Sequence, residues 1–237
     1  YKEIAPWYSY VEKFIGVSGE ALNLPQLPDS EFLPPMELNC VEKKLKKSIA
    51  KNYSDRILTI GRVAHITKGT KMGAGRGPCQ YRNLCSRGCP FGGYFSSNSS
   101  TLLDAHETGN LTMRANSVVK EVIYDDLQKK AIGVVIIDAI TKEEIRYYAK
   151  VIFLNASTIA TTAILLNSTS PSFPNGLGNT SGQLGHNLMD HVVNEGAFGT
   201  YEGLKDKYYE GKSPGTIYIP RFQNLKNETK DVDFIRG

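Results

Sequence analysis

No run of apolar residues in this chain of 237 reaches the roughly 18 that a membrane-spanning helix needs. Cysteine is scarce, with four in all, which excludes a disulfide scaffold. Neither an internal repeat nor a low-complexity segment is present. The one basic cluster, Lys43, Lys44, Lys46 and Lys47, has no aromatic residues interleaved with it. A solvated helix face explains that cluster better than a nucleic-acid surface. The chain also lacks G-x-G-x-x-G. Gly73-Ala74-Gly75-Arg76-Gly77 only approaches it, and no apolar helix-forming run follows, so it is not a dinucleotide loop. There is no initial methionine. Tyr1 already lies in a helical pattern, and the chain stops at Phe234-Ile235-Arg236-Gly237, just as a strand-like run ends. It reads as a piece of a longer protein, with any targeting signal outside it.

What is there is the composition of a folded protein. Hydrophobic residues make up 41 % and charged residues 22 %, which argues against disorder. The length suits one large domain or two modest ones. Residues 1–15 place Ile4, Trp7, Tyr8, Val11, Phe14 and Ile15 at helical spacing, and Gly16 and Gly19 end that run. Pro25, Pro28, Pro34 and Pro35 force an extended linker. A second helix is expected over 37–53 and a short strand over 57–60. The periodicity predicts a further helix over 96–109, then strands over 111–115, 118–124, 131–138 and 144–154. A helix over 159–166 follows, then a loop over 168–185. Strands of a second sheet are expected over 192–200, 216–222 and 232–235.

The densest chemistry lies between Cys79 and Phe95, reading C-Q-Y-R-N-L-C-S-R-G-C-P-F-G-G-Y-F. Cys79, Cys85 and Cys89 are separated by five and three residues, and glycines and Arg76, Arg82 and Arg87 surround them. Closely spaced thiolates suit zinc or an iron–sulfur cluster. The spacing matches no common zinc pattern, so a disulfide with a spare thiol, or inert core cysteines, stay open. The arginines suit either a cluster's negative charge or a plain surface. A strand running through Asn155-Ala156-Ser157 into a helix brings backbone N–H groups to the helix start, where a phosphate or flavin edge can sit. His186 and His191 are five residues apart, poorly placed to share one helix face, and are not taken as a ligand pair or a base.

Three segments, in order, resemble the glucose–methanol–choline (GMC) flavoprotein oxidoreductases. They are N-S-V-V-K-E-V-I-Y-D (116–125), V-I-F-L-N-A-S-T-I-A-T-T-A-I-L-L-N-S (151–168) and N-G-L-G-N-T-S-G-Q-L-G-H-N-L-M-D-H (175–191). The second departs from the family's usual V-V-L-A-A-G-A-x-x-S-P-x-L-L-L-x-S-G. Asn155-Ala156-Ser157 stands for Ala-Gly-Ala, Thr161 for proline and Ser168 for the last glycine. Cys-x5-Cys-x3-Cys-Pro is similar to the bacterial FAD-dependent sugar and alcohol dehydrogenase branch. In that branch a further cysteine directly follows the first, and here Gln80 stands there.

The resemblance implies FAD, with the Val119 peptide group against the adenine and Asn155, Ala156 and Ser157 at the flavin. It implies a 3Fe–4S cluster on Cys79, Cys85 and Cys89. It implies oxidation of an alcohol or sugar CH–OH, with hydride to flavin and electrons leaving to a cytochrome or quinone. The catalytic histidine and the ADP-binding glycine loop would lie outside the chain, so this piece alone would be inactive. The expected fold is mixed α and β. It comprises a helical linker part (1–60), a Gly/Cys-rich loop and helix (61–109), the returning part of an FAD domain (110–190) and the start of an antiparallel substrate sheet (191–237). The competing readings are an oxidoreductase with purely structural cysteines and a non-catalytic binding module of the same shape.

Overall fold

The computed structural model describes residues 1–69, 76–190, 196–204, 216–223 and 225. They fall into two units, Tyr1–Leu111 with Phe198–Gly237, and Thr112–Ala197. Mixed α and β structure is present, as the sequence predicts. Gly73, Gly75, His191, the strand expected over 232–235 and residues 192–195 of the strand expected over 192–200 lie outside the described residues, while 196–200 are described and form no strand.

In the first unit, α1 spans Ala5–Ile15 and stops at Gly16, whose φ of 73° is a left-handed conformation that glycine adopts without a Cβ clash. Its apolar residues form the expected helix but stay on the surface: Trp7, Tyr8, Tyr10 and Phe14 are all exposed. Helix α2 spans Cys40–Asn52, starting later than its periodicity suggests because Asn39 caps it. The Asn39 side chain accepts from the N–H groups of Val41 (3.0 Å) and Glu42 (2.9 Å). Glu42 in return accepts from the Asn39 N–H at 2.7 Å, which completes a capping box. Strand β1 (Thr59–Ile60) pairs antiparallel with β5 (Ile217–Tyr218). Helix α3 is Thr101–Glu107, shorter than expected because Ser97–Ser99 tightens into a 3-10 turn first. The core holds Val17, Met36, Ile49, Leu58, Ile60 and Ile66.

The second unit is a meander, β2 (Ser117–Asp125), β3 (Lys130–Asp138) and β4 (Glu144–Tyr148), with α4 (Thr158–Asn167) packed on β2. Two aspartates make its turns. Asp125 accepts from the N–H groups of Leu127 and Gln128, and Asp138 from those of Ile140 and Thr141. Val122, Val135, Ile136 and Ile164 form the core. The strand expected over 144–154 ends at Tyr148. Residues 150–154 join no ladder among the described residues, and Val151 and Phe153 are exposed. Residues 111–115 likewise form no strand, since Asn116 at φ 53° turns the chain just before β2.

Two outcomes follow. Asn39→Ala removes an acceptor from two helix N–H groups and should destabilise the first unit by about 1 kcal/mol, read by chemical denaturation. Asp138, held to a pKa of about 2 by the Thr141 and Ile140 N–H groups and then Arg114, sits below its unfolded value of 3.8. Its contribution is therefore present above pH ~4 and is lost as pH falls through ~2. Asp138→Asn should flatten that part of an acid-unfolding curve.

Candidate functional site

The cysteine segment has little regular structure, only a 3-10 turn at Cys85–Arg87, so its peptide groups need partners from elsewhere. Residues 64–66 supply them. Ile66 N–H donates to the Gly93 carbonyl (2.9 Å), Phe95 N–H to Ala64 (2.9 Å) and Cys79 N–H to the Ile66 carbonyl (2.8 Å). Gly77 N–H reaches the Phe91 carbonyl at 2.7 Å. Both ends of the loop thus lie against one extended stretch. Gly93 allows this approach, because a Cβ there would stand 2.9 Å from the Cys79 Cα.

Cys79, Cys85 and Cys89 line one cleft, with His65, Leu84, Pro90 and Phe91. None of them is in a disulfide. Each sulfur meets an N–H group or a ring nitrogen. Cys79 Sγ accepts from the Tyr81 N–H at 3.4 Å. Cys89 Sγ faces the N–H groups of Tyr94, Phe91, Gly93 and Gly92. His65 Nε2 lies 3.3 Å from Cys85 Sγ. Behind the cleft Arg76 is 1 % exposed. Its guanidinium donates to the Gly92 carbonyl (3.0 Å) and the Ile15 carbonyl (2.8 Å), while Nη2 has no hydrogen-bond partner among the described residues. Arg82 and Arg87 are exposed. Of the three arginines, Arg76 alone is buried beside the thiols.

Electrostatics separate these thiols. Burial pushes Cys79 up, and the neighbouring charges of Cys85 and Cys89 add to that against the Tyr81 N–H. Burial also works against ionisation at Cys89, but the four N–H groups outweigh it and leave that thiol below its usual range. Burial, then Arg76, holds His65 low, which keeps the imidazole neutral. Among the described residues, no three His, Cys, Asp or Glu donors gather closely enough to hold one metal ion. The thiols are soft donors bordered by N–H groups and a buried cation, a setting that favours negative charge on sulfur.

The second unit carries the other predicted residues. Strand β2 is an edge strand. Val119 stands opposite Ile136 and Glu121 opposite Val135, which leaves Lys120 as a bulge. The Asn116 carbonyl accepts from the Ala139 N–H, so peptide groups facing β3 recur at Val118 and those of Val119 face away. From the other end, the Val122 N–H also faces away and donates to Ser168 Oγ at 2.8 Å. The bulge therefore turns Val119 to the open edge of the sheet. Asn155, Ala156 and Ser157 are exposed at the start of α4. Ser157 has φ 70° and ψ 166° and makes no side-chain cap. That region is nearly exclusive to glycine and costs about 1–3 kcal/mol for other residues. An adenine edge at Val119 and a flavin edge at the uncapped α4 start fit both features.

Periodicity and motif spacing did not point to His65, which sits in an ordinary apolar stretch and has no companion nearby in sequence. Ser168 was visible only as a departure from glycine. In the structure it is buried, donates to the Ile164 carbonyl at 2.6 Å and latches α4 to β2. His186 is exposed, with no ligand partner among the described residues. Relief of backbone strain makes Ser157→Gly a stabilising change, by about 1 kcal/mol. Denaturant titration of the second unit's transition checks it, and a loss of stability would mean that the strain is not there.

The family model described as GMC oxidoreductase matches residues 39–193. A 2-methyl-1,2-propanediol dehydrogenase of Mycolicibacterium austroafricanum is 26 % identical over 209 residues, covering 81 % of this chain and 34 % of that protein. The chain thus spans about a third of the length of the curated relative it matches. With more than half of its residues inside the family match, the chain belongs to the GMC oxidoreductases, a family that binds FAD.

Proposed function

We propose that the intact protein is an FAD-dependent dehydrogenase that oxidises the CH–OH group of a small alcohol or sugar. The family match over residues 39–193 carries this reading, since it takes in both the cysteine cleft and the edge at Val119. The related dehydrogenase is named for a small diol, which supports an alcohol substrate. Bound FAD supplies a hydride acceptor. Val119 would hold the adenine through its outward peptide groups, and the N–H groups following Ser157 would face the flavin. Residues 110–190 form the returning part of the FAD domain in this reading, and 191–237 begin the substrate sheet. The catalytic base comes from outside these residues.

We further propose that Cys79, Cys85 and Cys89 hold a 3Fe–4S cluster. Such a group supplies one-electron transfer to an acceptor such as a cytochrome or quinone. A single zinc ion gathers its thiolates about 2.3 Å from one point, closer than the cleft brings its donors. The N–H groups on the sulfurs and the buried Arg76 guanidinium favour a negatively charged occupant.

Anaerobic purification of the full-length enzyme tests both halves. Acid should release FAD, alcohol should bleach the flavin band, and iron and labile sulfide should co-purify. Cys85→Ser should abolish electron delivery to an external acceptor while alcohol still reduces the flavin. Folded enzyme without FAD would sink the first half. Folded enzyme without iron would sink the second.

A further inference from the structure

We propose that His65 is a positioning residue that donates a hydrogen bond from Nε2 to Cys85 Sγ and thereby raises the reduction potential of the group those cysteines hold. The inference rests on the cluster reading above and adds a residue to it.

The geometry is specific. His65 Nε2 lies 3.3 Å from Cys85 Sγ, within reach of an N–H···S bond. The ring is fully buried, at 0 % exposure. It stacks on Tyr94, with centroids 4.8 Å apart and planes 24° apart. Its backbone sits between Ala64 and Ile66, both bonded to the cysteine loop. The imidazole is therefore fixed from two sides and aimed at one sulfur. The other ring nitrogen, Nδ1, has no hydrogen-bond partner among the described residues.

Proton placement follows from the chemistry of the contact. A thiolate bound to iron carries no proton, so the hydrogen between the two atoms belongs to Nε2. Nδ1 is then a bare acceptor, which is cheaper to leave unpaired than a buried N–H. A neutral donor stabilises charge on sulfur, and that charge is larger in the reduced group. Hydrogen bonds to the sulfurs are among the factors that set cluster potentials. Cys79 and Cys89 receive backbone N–H groups that no substitution of a side chain removes. Among the described residues, His65 is a side-chain donor in this set, and a substitution can remove it.

The experiment compares full-length wild-type enzyme with His65→Leu and His65→Gln, purified anaerobically. Glutamine keeps an N–H near the Nε2 position, and leucine does not. Redox titration followed by electron paramagnetic resonance reads the midpoint potential. His65→Leu should lower the reduced-to-oxidised ratio about tenfold at a fixed potential, which is 59 mV for a one-electron couple. His65→Gln should recover most of that. An unchanged midpoint in His65→Leu with iron retained overturns the inference and leaves the cluster intact. Loss of iron from both folded variants overturns it too, because the imidazole would then be a ligand. Wild-type enzyme without iron or labile sulfide removes the cluster reading itself. Should His65→Leu fail to fold, spin-echo modulation from 15N-histidine in the wild-type enzyme decides. Weak coupling is expected. No coupling, or the strong coupling of a directly bonded nitrogen, overturns the proposal.

Discussion

Main-chain hydrogen bonding between residues 64–66 and the two ends of the cysteine loop is the constraint on which the first unit's site depends. The loop has almost no helix or strand of its own. Its shape comes from Ile66, which donates to Gly93 and accepts from Cys79, and from Ala64, which accepts from Phe95. Those bonds bring three thiols and His65 to one cleft. They also explain the glycine at position 93, where any side chain would strike the Cys79 backbone. Arg76 reinforces the same assembly by joining the Gly92 carbonyl to the Ile15 carbonyl at the end of α1.

The second unit solves a different problem. Its sheet is an ordinary meander, with α4 packed on β2. Its distinctive features are local departures from regularity. The bulge at Lys120 changes the phase of the strand between Val119 and Val122, so the peptide N–H groups of both face away from β3, and Ser157 holds a backbone conformation that suits glycine. Ser168 fixes the far end of α4 by filling the hydrogen-bonding need of Val122. Each departure exposes backbone groups or satisfies them, and together they leave one stretch of edge and one helix start available to a ligand.

Much of this was legible in the residues. The strands β2 and β3 and the helix α4 show clear periodicity, and the three cysteines announce their own importance. Other parts were not legible, for physical reasons. Helix α2 begins where Asn39 and Glu42 cap each other, and a capping box outranks the apolar pattern that starts earlier. A strand over 150–154 reads well from its composition, yet composition does not supply a neighbour to pair with. His65 shows why single residues are hard to find: its role depends on a sulfur twenty positions away, reached only through tertiary hydrogen bonds. Arg76 was one of three equivalent arginines in sequence, and burial alone distinguishes it.

The pairing of β1 with β5 sets an order of events during synthesis. Thr59 and Ile60 find their partners in Tyr218 and Ile217, almost at the other end of the chain. Residues 112–197 form an uninterrupted unit between them. As the polypeptide leaves the ribosome, residues 112–197 all emerge after β1 and before β5. Until β5 arrives, the edge of β1 carries unmet N–H and carbonyl groups, a surface open to wrong partners. A pause in translation before β5 would therefore prolong the exposure of the β1 edge.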